Sequence, residues 1–81
     1  MKRNYLVLIE KGDTNYGAYA PDVPGCGGIG DTPEEALQSL REGLQFHVEG
    51  LAESGDAIPE VTYVAAEFVE VEVPIKVTAA S

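Results

Sequence analysis

The eighteen residues from Ala20 to Leu37, APDVPGCGGIGDTPEEAL, constrain this chain more than any other stretch. They set two proline turns, a ribbon of glycines and a helix start in immediate succession. Within them, Gly25-Cys26-Gly27-Gly28-Ile29-Gly30 has the G-x-G-x-x-G spacing of dinucleotide-binding loops. Such a loop offers bare helix N-terminal N–H groups to a pyrophosphate, whose charge the helix dipole stabilises. Here Thr32 stands as an N-cap with Glu35 three residues on, a capping box that uses those donors internally. Glu34 and Glu35 also repel phosphate, and 81 residues cannot supply the repeated βαβ units of a dinucleotide fold. No cofactor is expected.

A backbone reading explains more of the run. Val23-Pro24-Gly25-Cys26 suits a type II turn, with proline presetting φ at its second position and glycine supplying positive φ at its third. Gly27 to Gly30 reads as a short edge strand whose glycines mark a bulge or a close backbone approach. Pro33 falls at the first helical position, where a missing N–H costs nothing. Pro21, Asp22, Pro24, Gly25, Cys26, Gly30, Asp31, Thr32 and Glu35 therefore form a structural motif, and none is assigned a catalytic or metal-binding role.

The remaining elements follow from periodicity. Asn4 to Glu10 reads as a first strand with Tyr5, Val7 and Ile9 on one face and Leu6 and Leu8 on the other. A strand apolar on both faces requires cover on both, and one helix covers only one side, so a homo-oligomer (dimer or tetramer) is expected. Lys11 to Asn15 is a hairpin loop, and Tyr16 to Ala20 is a second strand that Pro21 ends. A helix from Pro33 to Ser54, roughly 33 Å long at ~1.5 Å per residue, carries the stripe Leu37, Leu40, Leu44, Val48 and Leu51, and Gly55 stops it. Phe68-Val69-Glu70-Val71-Glu72-Val73 alternates strictly and predicts a final strand with its valines toward the helix. Ile75 and Val77 continue the alternation past Pro74, and Val61 to Ala66 reads equally as strand or irregular lead-in. The predicted fold is α+β, in the order β-β-β-α-β: a four-stranded mixed sheet with one long helix on one face, the last strand parallel to the first.

Charge and cysteine count narrow the function. Five Lys and Arg against fourteen Asp and Glu leave a formal net charge of −9. Such a chain is repelled by nucleic acid, and its charge reads equally as attraction to a basic partner or as a means of keeping a small domain in solution. Cys26 alone excludes an internal disulfide, and its expected role is a partly buried thiol beside a turn. His47, in mid-helix, is read as lying away from Cys26 and as no metal ligand. No apolar run is long enough to span a membrane.

The run from Ala20 to Leu37 resembles the HicB-like antitoxin family. The shared pattern is Pro21-Asp22-Val23-Pro24-Gly25-Cys26, a short spacer, then Gly30-Asp31-Thr32-Pro33-Glu34-Glu35-Ala36-Leu37 entering a helix, and Ile58-Pro59 and the Val-Glu-Val ending look familial too. The resemblance covers roughly Tyr5 to Val73. It implies a partial, degenerate RNase H-like fold and a place in a type II toxin–antitoxin pair. The partner would be a small basic HicA-type toxin, which resembles double-stranded RNA-binding domains and cleaves messenger RNA in the cytoplasm. The expected domain plan is a single HicB-like domain over residues 1–81, because Pro74 to Ser81 is too short for the C-terminal DNA-binding module of many relatives. Glu10, Glu70 and Glu72 are the acids expected to face the partner. Two other functions compete: an orphan homo-oligomer without a toxin, and a metal-dependent nuclease drawing on Glu10, Asp22, Glu34 and Glu35.

Overall fold

A computed structural model describes residues 1–76. Its elements are β1 (Leu8–Lys11), β2 (Tyr16–Tyr19), β3 (Gly27–Gly30) and α1 (Pro33–Glu53). The strands form an antiparallel meander in the order β1-β2-β3. Gly12 N–H donates to Asn15 O at 2.7 Å and closes the first hairpin. In register, Ile9, Ala18 and Gly28 lie side by side on the face toward the helix, and Leu8, Tyr19 and Gly27 on the open face.

The helix begins as its sequence dictates. Thr32 Oγ1 accepts from Glu35 N–H at 3.1 Å, and Glu35 Oε1 reaches back to Asp31 N–H at 3.1 Å. The return contact falls one residue before the N-cap, so the box is displaced by a position. At the other end, Gly55 N–H donates to Ala52 O and Asp56 N–H to Leu51 O, the paired closure of a Schellman motif.

What joins helix to sheet is backbone against backbone. A β-carbon added at Gly28 would stand 2.6 Å from Ala36 O and closer still to the Leu40 amide nitrogen. At Gly30 it would stand 2.5 Å from Ala36 N. The glycines are therefore a close approach, and the space a nucleotide loop leaves for phosphate is filled by the chain's own helix. Ala18, Ala36 and Leu40 form the core behind this contact, with Val7, Tyr16 and Cys26 at its margin.

The first strand is shorter than its apolar run. Asn4 to Val7 carries no strand pairing, because β2 ends at Tyr19 and the chain turns away, Val23 N–H donating to Ala20 O at 3.0 Å. Val23 itself is fully buried, so the proline turn plugs the body.

The expected fourth strand does not form within the chain. Residues 59–76 carry no strand pairing, and Val69, Val71 and Val73 stand 78%, 70% and 77% exposed instead of facing the helix. The cause lies upstream. Arg3 Nη1 donates to Ile58 O and Pro59 O at 3.0 and 2.7 Å, and Tyr5 Oη to Pro59 O at 2.6 Å. Asp22 then holds Thr62 through its amide at 2.8 Å and its hydroxyl at 2.6 Å. Thr62 is thus fixed beside the turn that follows β2, the central strand, and the arm after it does not run along the outer edge of β1. Val77, the end of the predicted alternation, lies outside the described residues.

Adding a methyl group at two glycines should have opposite effects. Gly28→Ala overpacks the helix contact and should cost at least ~1–3 kcal/mol. Gly50, in the helix with nothing near its Cβ position, should gain up to ~1 kcal/mol as alanine. Urea unfolding of both variants measures the pair, and equal effects would contradict the close approach.

Candidate functional site

The open sheet face is the first surface equipped for recognition. Alternation puts Leu8, Glu10, Tyr19 and Ile29 on it, because their strand neighbours turn toward the helix. Ile29 is 67% exposed, and Leu8 and Tyr19 are exposed as well. Tyr19 Oη donates to Glu10 Oε1 at 3.2 Å. The negative charge of Glu10 is the main cause that raises the Tyr19 phenol above its ordinary pKa, with Tyr63 also acting on it. A flat apolar strip with a fixed carboxylate is suited to docking.

Glu70 and Glu72, the other acids expected to face a partner, are exposed on the arm. No hydrogen bond among the described residues joins them to Glu10 or to the body. The turn motif is more useful than its backbone role suggested, since Asp22 clasps the arm across forty residues of sequence. Thr62 donates twice to its carboxylate, and these bonds hold the Asp22 pKa below its ordinary value, the hydroxyl contributing most. Neither the Asp22–Thr62 pair nor the bonds of Arg3 and Tyr5 to residues 58 and 59 are legible in the sequence, because nothing local signals a contact between segments so far apart.

Cys26 and His47 require a correction. They do not lie apart: both line a shallow hollow of about 520 Å³ with Gly43, Phe46 and Gly50. The chain reverses at Gly30–Thr32, so β3 runs back along the helix, and residues before β3 lie beside mid-helix instead of its start. Among the described residues no three His, Cys, Asp or Glu side chains gather in a group able to hold a metal ion, and no helix is long and apolar enough to cross a membrane.

The structure is thus a small α+β module, a three-stranded antiparallel sheet backed by one helix, with an apolar, acid-bearing open face. The family can be stated more closely. The model of the HicB-like antitoxin of bacterial toxin–antitoxin systems matches residues 5–77, and the chain belongs to that family. An uncharacterized 14.9 kDa protein from the rep-hol intergenic region of Haemophilus phage HP1 is 41% identical over 56 residues, 69% of this chain and 42% of the phage protein. A UPF0150 protein of Synechocystis is 40% identical over 58 residues, 70% of this chain and 73% of its own. A UPF0150 protein of Thermotoga maritima is 40% identical over 57 residues, 70% and 72% of the two chains. The chain thus spans less than half of the phage relative and nearly three quarters of the other two. No solved structure matches it significantly.

The clasp should be sensitive to acid. Because the folded-state pKa of Asp22 is lowered, its stabilisation is complete above the unfolded value of ~3.9 and disappears as pH falls through the lower folded value. The Thr62 amide resonance should titrate with a midpoint below ~3.9. Asp22→Asn should abolish that titration, and a midpoint at or above the unfolded value would contradict the clasp.

Proposed function

We propose that this chain is an antitoxin that neutralises a small basic toxin of the HicA kind by covering the surface the toxin uses to bind RNA. Membership of the family supports a toxin–antitoxin role. The observation that carries the more specific reading is electrostatic: a net charge of −9 presents the toxin with the same sign of charge as RNA phosphates. Inhibition is then competitive, with the protein's carboxylates occupying the place of the nucleic acid backbone.

On this reading the chain acts by binding and has no catalytic step of its own. The open face, with Leu8, Ile29, Tyr19 and Glu10, supplies the apolar contact and the first carboxylate. Glu70 and Glu72 add charge from the arm. On this reading the meander and its helix are a partial, degenerate form of an RNase H-like unit. A partner that cleaves messenger RNA places the pair in the cytoplasm, with no direct contact between this chain and nucleic acid. The chain works as a homo-oligomer.

Co-expression with the HicA-type protein encoded beside its gene should yield a stable complex and restore growth. The association rate should fall about tenfold or more between about 50 mM and about 500 mM salt. Glu10→Lys should weaken binding without lowering the unfolding midpoint. Toxicity unrelieved by co-expression, or binding indifferent to salt, would defeat the reading.

A further inference from the structure

We infer that two copies of this chain exchange their C-terminal arms, each arm adding a fourth strand to the outer edge of the other copy's β1.

Two incomplete surfaces on the same chain point to this. The first is the sheet edge. The three strands have four residues each, about 13 Å at ~3.3 Å per residue, whereas the 21-residue helix runs about 32 Å. The sheet therefore covers the beginning of the helix, where Ala36 and Leu40 are buried, and leaves Leu44, Val48 and Leu51 only half-buried. Beside this uncovered part, Asn4 to Val7 runs on from β1 with no strand partner. Between them lies an open groove of about 540 Å³, lined by Tyr5, Leu44, Val48 and Ile58 and rimmed by Lys2, Arg3 and Arg41. Three of the chain's five cations thus border one apolar trough.

The second surface is the arm. Val69, Val71, Val73 and Ile75 fall on one face of an alternating segment and are 70–89% exposed. An aliphatic ladder of this kind is the pattern of a half-buried strand, and a soluble chain seldom leaves so much contiguous apolar surface in water. Between residues 59 and 75 the arm has four glutamates and no lysine or arginine. Its shape and its charge both complement the trough.

The arm starts at the wall of its own trough, where Arg3 and Tyr5 hold residues 58 and 59, and Asp22 then draws Thr62 to the turn after β2, so that residues 68–75 do not lie along their own β1. A second copy removes the obstacle. Reciprocal exchange is self-complementary and closes on a two-fold axis, filling both troughs with both arms. Eight arm residues, 68–75, match the eight from Asn4 to Lys11 in length. With the valines turned toward the helix, alternation places Glu70 and Glu72 on the same face as Glu10. A basic partner protein would suit the arm's glutamates but not the cationic rim. A second copy suits both.

Light scattering of the full chain at about 100 μM should give twice the monomer mass. Val71→Pro removes a ladder N–H from the exposed part of the arm beyond the Asp22–Thr62 clasp, so the variant should keep its helix by circular dichroism and halve in mass. Val71→Asp should behave alike. Val48→Glu blocks the trough and leaves the arm intact. It should be monomeric alone and form a heterodimer when mixed with Val71→Pro, which keeps a working trough. In a mixture of differently labelled wild-type chains, contacts between Val71 and Val48 methyls should be intermolecular. A monomeric wild-type chain would overturn the proposal, as would a Val71→Pro dimer. Loss of toxin binding by Val71→Pro from a wild-type chain already monomeric would assign the arm to the toxin instead.

Discussion

The backbone of β3 lying directly on the backbone of α1 is the contact from which the rest of the architecture follows. It is possible because Gly28 and Gly30 present no side chain where the helix passes. It fixes the direction of the helix, which leaves β3 through the short Asp31–Thr32 connection and runs back beside it. It also limits the size of the interior, so that Ala18, Ala36 and Leu40 suffice as the buried centre. A chain this short buries only a little over ~60% of its unfolded surface. A thin core joined through glycines is consistent with that economy, and it leaves most bulky apolar groups on or near the outside.

The sequence was most readable where structure is local. The Thr32–Glu35 cap, Pro33, the helical stripe, the Gly55 stop and the glycine strand all depend on residues within a few positions of one another, and each is found in place. The glycine spacing could be separated from a nucleotide fingerprint by asking what the helix N-terminus had left to donate. Reading failed where an element depended on a distant partner. Residues 68–73 alternate as a strand should, but alternation reports that a segment suits a half-buried place and says nothing about which sheet provides it. Asn4 to Val7 is apolar enough for a strand and lacks one for want of a neighbour. Val23, assigned only to a turn, proves to be a core residue.

The candidate docking surface is legible in the sequence to a similar extent. Glu10 could be placed because strand register is regular, whereas its bond to Tyr19 required knowing which strands pair and how. That Cys26 and His47 line one hollow is not legible in the sequence, because the reversal before Thr32 sets the residues that precede β3 beside the middle of the helix. The clasp between Asp22 and Thr62 had no local signature at all. Its residues are ordinary, and their meaning comes from the path of the chain between them.

The bare β3–α1 contact also affects how such a protein can change over generations. In most small domains the large aliphatic positions resist substitution and the glycines of surface loops drift. Here the order is partly inverted, since Leu44, Val48 and Leu51 border solvent while Gly28 has no room for one more carbon. A lineage of these chains is therefore free to remodel the surfaces that meet other molecules while its invisible hinge of missing side chains stays fixed. Specificity can diverge quickly on a frame that hardly moves.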